Sequence, residues 1–316
     1  MRRAALIYNP ASGQLSARRA AIIASALSIL RDAGVEAHSM ETSAPGSAGA
    51  LAQQAVLQGC DTILACGGDG TANEILQHLV GTQVALGVVP LGTANALAAN
   101  LGLGSSPLKA IQKLLSATPV EIPVGRISYR DQQGAQQSRY FTVAAGVGAD
   151  ALCISMLDAG LKRRFGYALY MVAMFRVWAT HTFPLFDAAY LPSGSSTPKV
   201  EAFSEVLAIR IRDFGGLLHH LAPGASLHNT SLRLLAFKTR SRFHYLRFVL
   251  ASLFRRQTFS RHVELLDVQS VECRRRSGSS DNVFVEADGE LLGGLPVTIE
   301  MASEKLTLLI PPFAKP

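Results

Sequence analysis

The chain has 316 residues, of which 48% are hydrophobic, and a formal net charge of +7. This length predicts two domains, and the apolar content excludes an intrinsically disordered protein. The four cysteines have neither C-x-x-C spacing nor the density of a disulfide scaffold, which excludes a disulfide-stapled secreted domain and indicates a reduced, cytoplasmic protein.

Hydropathy and charge restrict the classes of binding partner that the chain can have. The apolar run after the N-terminal arginines ends at Asn9-Pro10, too short for a signal-peptide core, and no run approaches the ~18 apolar residues of a membrane span. We therefore expect a soluble chain. Residues 151–276 carry 18 Lys and Arg against 8 Asp and Glu, whereas the remainder carries 12 against 15. This basic half suits an anionic membrane surface, although each basic cluster alone also fits a solvated surface. Without a nucleic-acid-binding motif, we expect no nucleic acid partner.

Short apolar strands alternate with helices in the first 117 residues. The strands are predicted at Ala4–Tyr8, Val35–Glu41, Asp61–Cys66 and Val84–Val89. Helical spacing of apolar residues follows each strand, and a further helix is predicted at Pro107–Ala117. This alternation predicts an α/β domain with a doubly wound, mostly parallel sheet, whose ligands bind at the carboxyl ends of the strands.

The pattern changes after Pro119. Longer strands predict a mostly antiparallel β-sandwich from about 121 to 304, with helical insertions near 165–179 and 243–254. Its strands and the final one are predicted at Val120–Tyr129, Tyr140–Ala145, Val206–Ile211, Leu232–Phe237, Val263–Val268, Val283–Glu286, Val297–Met301 and Leu306–Ile310.

Two glycine-containing turns follow the third and fourth strands. They read Gly67-Gly68-Asp69-Gly70-Thr71 and Pro90-Leu91-Gly92-Thr93-Ala94-Asn95. Glycine permits positive φ and removes each Cβ that would keep a ligand away, and the backbone N–H groups of such turns bind anions. A carboxylate among them, Asp69, indicates a divalent cation beside phosphate groups. The pattern predicts a metal–polyphosphate site that lacks the Walker A and H-R-D motifs.

These motifs resemble the lipid kinase family that includes bacterial diacylglycerol kinases, YegS-type lipid kinases and sphingosine kinases. The matching segments, in the family's order, are Asn9-Pro10-Ala11-Ser12-Gly13, Gly67 to Glu74, Pro90 to Asn95 and Asp288-Gly289-Glu290. The resemblance implies a nucleotide-binding domain of the NAD-kinase/phosphofructokinase type (residues 1–120, with 305–316 returning to it). It also implies a lipid-binding domain (121–304) and a cleft between the two.

The resemblance further implies ATP and Mg²⁺ as cofactors. The nucleotide site would comprise Asn9, Ser12, Gly13, Thr42, Gly67, Gly68, Asp69, Gly70, Thr71, Asn73, Glu74, Thr93 and Asn95. Asp69 would position Mg²⁺, the alternative being a helix cap, and Asn9-Pro10 could be a plain loop. Glu290 would be the catalytic base for the lipid hydroxyl, facing Asp69 across the cleft. Asp288 would support its turn, and it could also belong to the metal network or contact the substrate. The alternative is a hairpin with exposed acids.

A third acid is also assigned by resemblance, and one further segment is singled out by its composition. Asp150 follows Gly146-Val147-Gly148-Ala149, which resembles the family's lipid headgroup region, so Asp150 could contact the substrate hydroxyl or cap a helix. The segment Lys162–Met171 combines basic and apolar residues, and it could be a core helix or rest on a membrane interface. The histidines, including His219-His220, lack zinc-type spacing.

The chain departs from the family pattern in two regions. Ala96 stands where bacterial diacylglycerol kinases have an Asp of their metal network, although sphingosine kinases tolerate Asn-Ala-Leu-Ala. Asn229 and Thr230 replace an Asp-Gly pair at which family members bind a structural Mg²⁺. Here that metal would be held by Ser226, Asn229 and Ser231, and losing the carboxylate weakens such a site.

The sequence thus predicts an ATP- and Mg²⁺-dependent lipid kinase acting on diacylglycerol or a related neutral or sphingoid lipid, transiently at an anionic membrane surface. One alternative is an NAD kinase, against which the first motif and Pro90-Leu91-Gly92-Thr93 argue. Another is a non-catalytic lipid or nucleotide sensor, suggested by Ala96 and Asn229. The sequence leaves the lipid open, and also whether the protein is a homodimer.

Overall fold

The computed structural model describes residues 1–10, 18–131, 133–157, 167–212, 214, 221–253 and 261–312. Its internal contacts divide the chain into two compact units. Unit 1 is Met1–Pro123 with Ser303–Pro316, and unit 2 is Val124–Ala302.

Eight helices and fifteen strands lie in the described residues. The helices are α1 (Arg19–Asp32), α2 (Ser47–Leu57), α3 (Asp69–Leu79), α4 (Ala96–Asn100), α5 (Pro107–Leu115), α6 (Ala149–Ser155), α7 (Tyr167–Thr180) and α8 (Arg242–Leu253). The strands are β1 (Arg3–Tyr8), β2 (Glu36–Glu41), β3 (Thr62–Gly67), β4 (Ala85–Pro90), β5 (Thr118–Arg130), β6 (Gln136–Phe141), β7 (Ala144–Gly148), β8 (Phe186–Pro192), β9 (Lys199–Phe203), β10 (Glu205–Ile209), β11 (Leu232–Phe237), β12 (Val263–Arg274), β13 (Phe284–Ala287), β14 (Glu290–Gly294) and β15 (Val297–Ile310). None of these helices combines the length and hydropathy that crossing a membrane requires.

Unit 1 is built on a parallel sheet with the strand order β15-β4-β3-β1-β2. Every residue of β3 and β4 is buried, as expected for central strands that are covered on both faces. Tyr8 pairs with both Glu41 and Cys66, and Gly67 pairs with Pro90, so the carboxyl ends of four strands are level. The predicted α/β domain with a mostly parallel sheet is confirmed.

Unit 2 is mostly antiparallel, as predicted. Its strands follow the order β14-β13-β7-β10-β11-β12-β15, with β8 and β9 continuing from β12 and β5 paired with β6. Alternating side chains of these strands form one apolar cluster in which Phe141, Phe186 and Phe203 are the largest fully buried side chains. A second cluster joins α7 and α8 through Val177, Tyr245 and other residues. Burial of these faces supplies most of the driving force for folding.

Unit 2 differs from the sequence prediction in three places. The strand predicted at Tyr140–Ala145 is interrupted at residues 142 and 143, where backbone N–H groups bind a side chain instead of a neighbouring strand. The two last predicted strands form one continuous strand, β15. Strands β8, β9 and β14 were not predicted, because each contains Pro, Gly or charged residues that weaken the period-two signal.

Candidate functional site

The carboxyl ends of four parallel strands form one edge of unit 1. Thr42 follows β2, and its N–H donates to the carbonyl of Tyr8 at the end of β1 (2.9 Å). Leu91 follows β4, and its N–H donates to the carbonyl of Gly67 at the end of β3 (2.9 Å). Asn9 follows β1 directly. The structure therefore brings Asn9, Thr42 and the two glycine turns to one edge, where ligands of parallel sheets bind.

The strand order places a topological switch point at this edge. After β1 the chain crosses to β2 on one side, and after β2 it crosses to β3 on the opposite side of β1. The connections that leave β1 and β3 begin at Asn9 and Gly68. A crevice at such a point is the usual ligand site of an open α/β sheet.

The two glycine turns approach each other more closely than side chains would allow. A Cβ on Gly92 would lie 2.3 Å from the Cα of Gly68, and a Cβ on Gly68 would lie 3.2 Å from the Cα of Gly92. A Cβ on Gly67 would lie 2.4 Å from Oγ1 of Thr71. Glycine is required here because two backbone segments pack directly against each other.

The expected positive φ at Gly67, Gly68 and Gly70 is wrong. Gly68 has a φ of −93°, Gly67 ends a strand and Gly70 is helical. The left-handed residue is instead Asn95, with a φ of 51°. Its Oδ1 accepts a bond from the N–H of Gly92 (2.9 Å), and its Nδ2 donates to the Gly92 carbonyl (3.0 Å). Asparagine tolerates this conformation because its side chain bonds the local backbone.

Helix α3 begins at Asp69, directly after the packed glycine. Asp69 and Gly70 are partly exposed, whereas Thr71 and Asn73 are buried. The first N–H groups of a helix have no intrahelical acceptor, and they carry the positive end of the helix dipole. The first turn of α3 therefore offers anion-binding groups next to an accessible carboxylate. Thr93, on the neighbouring turn, is exposed.

Glu74 caps the neighbouring helix. Its Oε1 accepts a hydrogen bond from the N–H of Gly46 (2.9 Å), and its Oε2 accepts one from the N–H of Ala48 (3.0 Å). Both donors belong to the start of α2, so the carboxylate satisfies otherwise unpaired helix-terminal groups. Glu74 thereby ties α2 to α3.

Arg19 is a residue of this edge that the sequence interpretation missed. Its buried guanidinium donates to the carbonyls of Asn9 and Leu91, so it joins the segments after β1 and β4. Burial lowers the pKa of this guanidinium. The signal that could have revealed it is its position, since Arg19 lies on the same helical stripe as the buried Ile23 and Leu30.

In unit 2, Asp288 and Gly289 form the two-residue turn between β13 and β14. Their φ angles of 48° and 79° are typical of a type I′ hairpin turn. Oδ2 of Asp288 accepts the N–H of Thr142 (3.0 Å), and Oδ1 accepts those of Val143 and Ala144 (2.9 and 3.0 Å). Asp288 thus anchors the turn to the segment between β6 and β7.

Glu290 follows this turn as the first residue of β14. Its Oε2 forms an ion pair with Nη1 of Arg139 at 2.6 Å, and the two side chains are 34% and 25% exposed. The carboxylate of Glu290 is therefore oriented by Arg139 but remains accessible.

Three carboxyl groups next to this turn are removed from water. Glu205 and Glu286 are buried and Asp150 is partly buried. A Cβ on Gly146 would lie 2.9 Å from Oε1 of Glu286 and 3.2 Å from Oδ2 of Asp150. Burial raises the pKa of all three carboxyls, and the charge of Asp150 raises the pKa of Glu205 and Glu286 further. Only Asp150 of this group was singled out from the sequence.

The neighbours of Asp150 distinguish its two predicted roles. Oε1 and Oε2 of Glu205 accept the N–H of Asp150 (both 3.3 Å), and Oε2 also accepts that of Ala149. Glu205 therefore caps α6, and the helix-cap alternative for Asp150 is wrong. The carboxylate of Asp150 instead accepts a hydrogen bond from the hydroxyl of Tyr170 at 2.6 Å.

The loop 221–231 contains the residues expected to hold a structural metal, Ser226, Asn229 and Ser231. Asn229 donates from Nδ2 to the Gly224 carbonyl (2.8 Å) and from its N–H to the Ser226 carbonyl (3.1 Å). Across the described ranges, no group of three or more His, Cys, Asp or Glu residues is placed to hold a metal ion. A hard cation requires several oxygen ligands, usually with carboxylates among them. These residues do not fit the structural Mg²⁺ that the resemblance implied.

Some predicted residues lie outside the described part of the chain. They are Ser12 and Gly13 of the first motif, residues 162–166 of the basic and apolar segment, and His219-His220.

Comparison with known proteins agrees with these motifs. A family model of the diacylglycerol kinase catalytic domain matches residues 3–127. A diacylglycerol kinase of Bacillus subtilis (strain 168) is 25% identical over 299 residues, covering 94% of this chain and 92% of the relative. A probable YegS-like lipid kinase of Chromohalobacter salexigens is 32% identical over 235 residues, covering 73% of this chain and 69% of the relative. The chain belongs to the diacylglycerol kinase family.

Solved structures show that this family member has the expected fold. A crystal structure of a diacylglycerol kinase from Bacillus anthracis aligns with a TM-score of 0.69 at 16% identity, over 99% of this chain and 98% of that chain. Yeast NADH kinase in complex with NADH aligns with a TM-score of 0.53 at 12% identity, over 98% and 83%. The second likeness confirms the NAD-kinase-type architecture and carries no statement about substrate.

Proposed function

We propose that this chain is a lipid kinase that transfers the γ-phosphate of ATP to a lipid hydroxyl, with diacylglycerol or a related neutral or sphingoid lipid as the acceptor. The observation that carries the proposal is the backbone-to-backbone packing of Gly68 and Gly92 beside Asp69, in a member of the diacylglycerol kinase family. Because neither Gly68 nor Gly92 carries a Cβ, a nucleotide phosphate could approach the first N–H groups of α3 closely.

The donor set beside Gly68 fits Mg²⁺. A partly exposed carboxylate next to a phosphate-binding turn is the arrangement in which Mg²⁺ is usually held, by one or two carboxylates together with substrate phosphates. Mg²⁺ bound there would neutralise charge on the phosphate oxygens. Asp69 would supply its protein ligand, and the first N–H groups of α3 would orient the phosphates.

Glu290 is the proposed general base. A lipid hydroxyl ionises far above neutral pH, so its attack on phosphorus is assisted by a carboxylate that accepts the proton as the new P–O bond forms. The ion pair with Arg139 would hold the Glu290 carboxylate in one orientation. Asp288 would act indirectly, by holding the turn that precedes Glu290.

The test of the reaction is an assay with labelled ATP over vesicles that contain diacylglycerol, sphingosine or ceramide, with NAD as a soluble acceptor. We expect a phosphorylated lipid identified by mass, and no phosphorylated NAD. Labelled NADP without a labelled lipid would favour the NAD kinase alternative. ATP or vesicle binding without turnover of any acceptor would favour a sensor.

We also propose that α7 and α8 rest on an anionic bilayer. The α7–α8 face consists of four exposed apolar residues: Val172 (63%), Phe175 (67%), Phe243 (66%) and Leu250 (46%). The opposite sides of both helices pack into the same apolar cluster, so their exposed sides point away from it.

The charge of the α7–α8 face supports an anionic partner. Arg176, Arg242 and Arg247 are exposed on the same helices. Attraction to acidic lipid headgroups would contribute about 1 kcal/mol of membrane-binding free energy for each arginine. The two helices are fastened together, because Nε1 of Trp178 donates to the Arg242 carbonyl (2.9 Å) and Nη1 of Arg242 donates to the Ala179 carbonyl (2.7 Å). Exposed apolar residues and arginines on the same two helices suit an anionic interface better than a neutral one.

Co-sedimentation with phosphatidylglycerol-containing vesicles tests this surface. The Phe175→Ser, Phe243→Ser variant should bind at least about tenfold more weakly than wild type, because burial of two large apolar side chains is lost. The control is Leu57→Ser, which removes a side chain that is 82% exposed in unit 1 and should leave binding unchanged. Equal loss in both variants, or binding to neutral vesicles alone, would refute the assignment.

A further inference from the structure

Several carbonyl groups of the loop 221–231 accept hydrogen bonds from this chain's own donors. The Gly224 carbonyl accepts the carboxamide of Asn229, and the Ser226 carbonyl accepts the N–H of Asn229. The Pro223 carbonyl accepts Nε of Arg233 (3.0 Å). Residues 221–231 include no Asp or Glu. Three carbonyl oxygens of the loop are thus already hydrogen-bonded, and no carboxylate of the loop can compensate the charge of a metal.

A buried cation already occupies the interior side of this loop. Arg210, which follows β10, is 1% exposed. Its Nη2 donates to the Leu227 carbonyl (2.9 Å), and its Nη1 donates to the Asn229 carbonyl (3.2 Å) and approaches Sδ of Met301 (3.1 Å). The planar fork of a guanidinium is suited to bonding two carbonyls at once. Two carbonyls of the loop therefore face a fixed positive charge.

The guanidinium of Arg210 carries a positive charge, which the carboxylate of Asp288 compensates. Burial lowers the pKa of Arg210 to about 10, while the negative charge of Asp288 acts in the opposite direction. Arg210 is consequently protonated at neutral pH. The backbone N–H of Arg210 donates to the Val143 carbonyl (2.9 Å), and the backbone N–H of Val143 donates to the Asp288 carboxylate. Arg210 therefore connects the loop 221–231 with the turn that precedes Glu290.

We infer that Arg210 replaces the structural divalent cation in this chain: its guanidinium supplies the positive charge that orders the loop 221–231. The carboxamide of Asn229 complements it, because an amide at this position can donate to a carbonyl, whereas a carboxylate could not. Order of the loop should then be independent of Mg²⁺, and any requirement for Mg²⁺ in turnover would belong to the nucleotide site alone.

The first test is thermal unfolding of the wild-type protein without nucleotide, in EDTA and in millimolar Mg²⁺. Binding of an ion to the folded state alone raises the melting temperature according to its concentration relative to Kd. We expect the two melting temperatures to agree within about 1 °C. A rise of more than about 4 °C with Mg²⁺ would overturn the inference.

The second test changes the cation itself. Arg210→Met should lower the melting temperature by roughly 5–10 °C with or without Mg²⁺, because it leaves buried carbonyls and Asp288 uncompensated. Arg210→Lys keeps the charge without the planar fork and should recover part of the loss. The control is Arg240→Met, an exposed arginine of the same unit, which should melt within about 1 °C of wild type.

A double variant tests the exchange directly. Arg210→Met combined with Asn229→Asp removes the guanidinium and restores a carboxylate, so Mg²⁺ should raise its melting temperature by a few degrees, by about 3 °C or more. Unfolding of Arg210→Met at the wild-type temperature would overturn the inference. If Arg210→Met does not fold, the wild-type comparison in EDTA and Mg²⁺ and the Arg210→Lys variant still decide it.

Discussion

The sheet edge of unit 1 and the Asp288 turn of unit 2 use the same parts, glycine turns beside acids, but hold them differently. At the sheet edge, neighbouring parallel strands end level, and Gly68 packs on Gly92 through backbone atoms alone. In the turn, the Asp288 carboxylate binds N–H groups of residues 142–144, which are 144 to 146 positions away in sequence. The first arrangement depends on packing between backbone segments, and the second depends on hydrogen bonds to one side chain.

This difference determines which acids remain available for chemistry. Asp69 stands partly exposed at the first position of α3. In unit 2, Asp288 and Glu286 are used to hold the turn, and Glu290 is the partly exposed acid that follows it. Changes at the sheet edge should therefore alter chemistry with little loss of stability, whereas changes around the turn should alter both.

Asp69→Asn should have the largest effect on activity. The substitution keeps the size of the side chain but removes the charge proposed to bind Mg²⁺, so kcat for lipid phosphorylation should fall roughly 1000-fold or more. The melting temperature should stay within about 2 °C of wild type, since Asp69 is partly exposed. Asp32→Asn, an exposed Asp at the end of α1, is the matched control. Activity of Asp69→Asn near the wild-type level would remove Asp69 from the mechanism.

Glu290→Gln should reduce kcat roughly 100- to 1000-fold, the contribution usual for a general base. The matched control is Glu300→Gln. Glu300 pairs with Arg126 at 2.8 Å, and its side chain is 32% exposed. Glu290 pairs with Arg139 at 2.6 Å, and its side chain is 34% exposed. Both variants lose one comparable ion pair, so only a catalytic role separates them. Equal kcat values in the two variants would contradict the assignment of Glu290.

Gly92→Ala tests whether the close packing of the two glycine turns is needed for nucleotide binding. Its Cβ would meet the Cα of Gly68 at 2.3 Å, which forces the two turns apart, whereas the Cβ of Gly68→Ala would meet the Cα of Gly92 at 3.2 Å. We expect KM for ATP to rise about tenfold or more in Gly92→Ala and by a smaller factor in Gly68→Ala. Steady-state kinetics measures both. The reverse order would mean that contact between the turns is not what limits nucleotide binding.

Glu286→Gln should have the smallest effect of these substitutions. It should change how the melting temperature depends on pH, because Glu286 is a buried acid. The pKa of Glu286 is raised well above 4.5 in the folded state, mainly by burial. The folded protein therefore binds this proton more tightly than the unfolded chain, and its stabilising contribution, complete below pH 4.5, is lost as the pH rises toward the folded pKa.

Replacing Glu286 by an amide removes that dependence. The melting temperature of Glu286→Gln should exceed that of wild type by about 3 °C at pH 8 and equal it near pH 4.5. The exposed Glu121→Gln should follow the wild-type curve throughout. Parallel curves for Glu286→Gln and wild type between pH 4.5 and 8 would show that Glu286 is ionised in the folded protein.

Much of the sheet edge could be predicted because a parallel sheet places the carboxyl ends of its strands together. Once β1 to β4 are recognised by their apolar runs, Asn9, Thr42 and the glycine turns must converge. The reason for the glycines was misjudged, since close packing between two turns depends on a contact 24 residues away in sequence, from Gly68 to Gly92. Arg19 was missed because a charged side chain on an apolar stripe has no local motif.

The sequence alone determined the alternation of strands and helices, the motif order and hence the family, because strand and helix periodicity and turn chemistry are local properties. Only the tertiary structure decided which polar groups are used to hold the fold. Glu74 caps α2, and Glu205 caps α6. Arg210 donates hydrogen bonds to carbonyls of the loop 221–231, where a metal was expected. The reason is physical: the pairing of a buried charge depends on its distance from groups far along the chain, which no local pattern encodes.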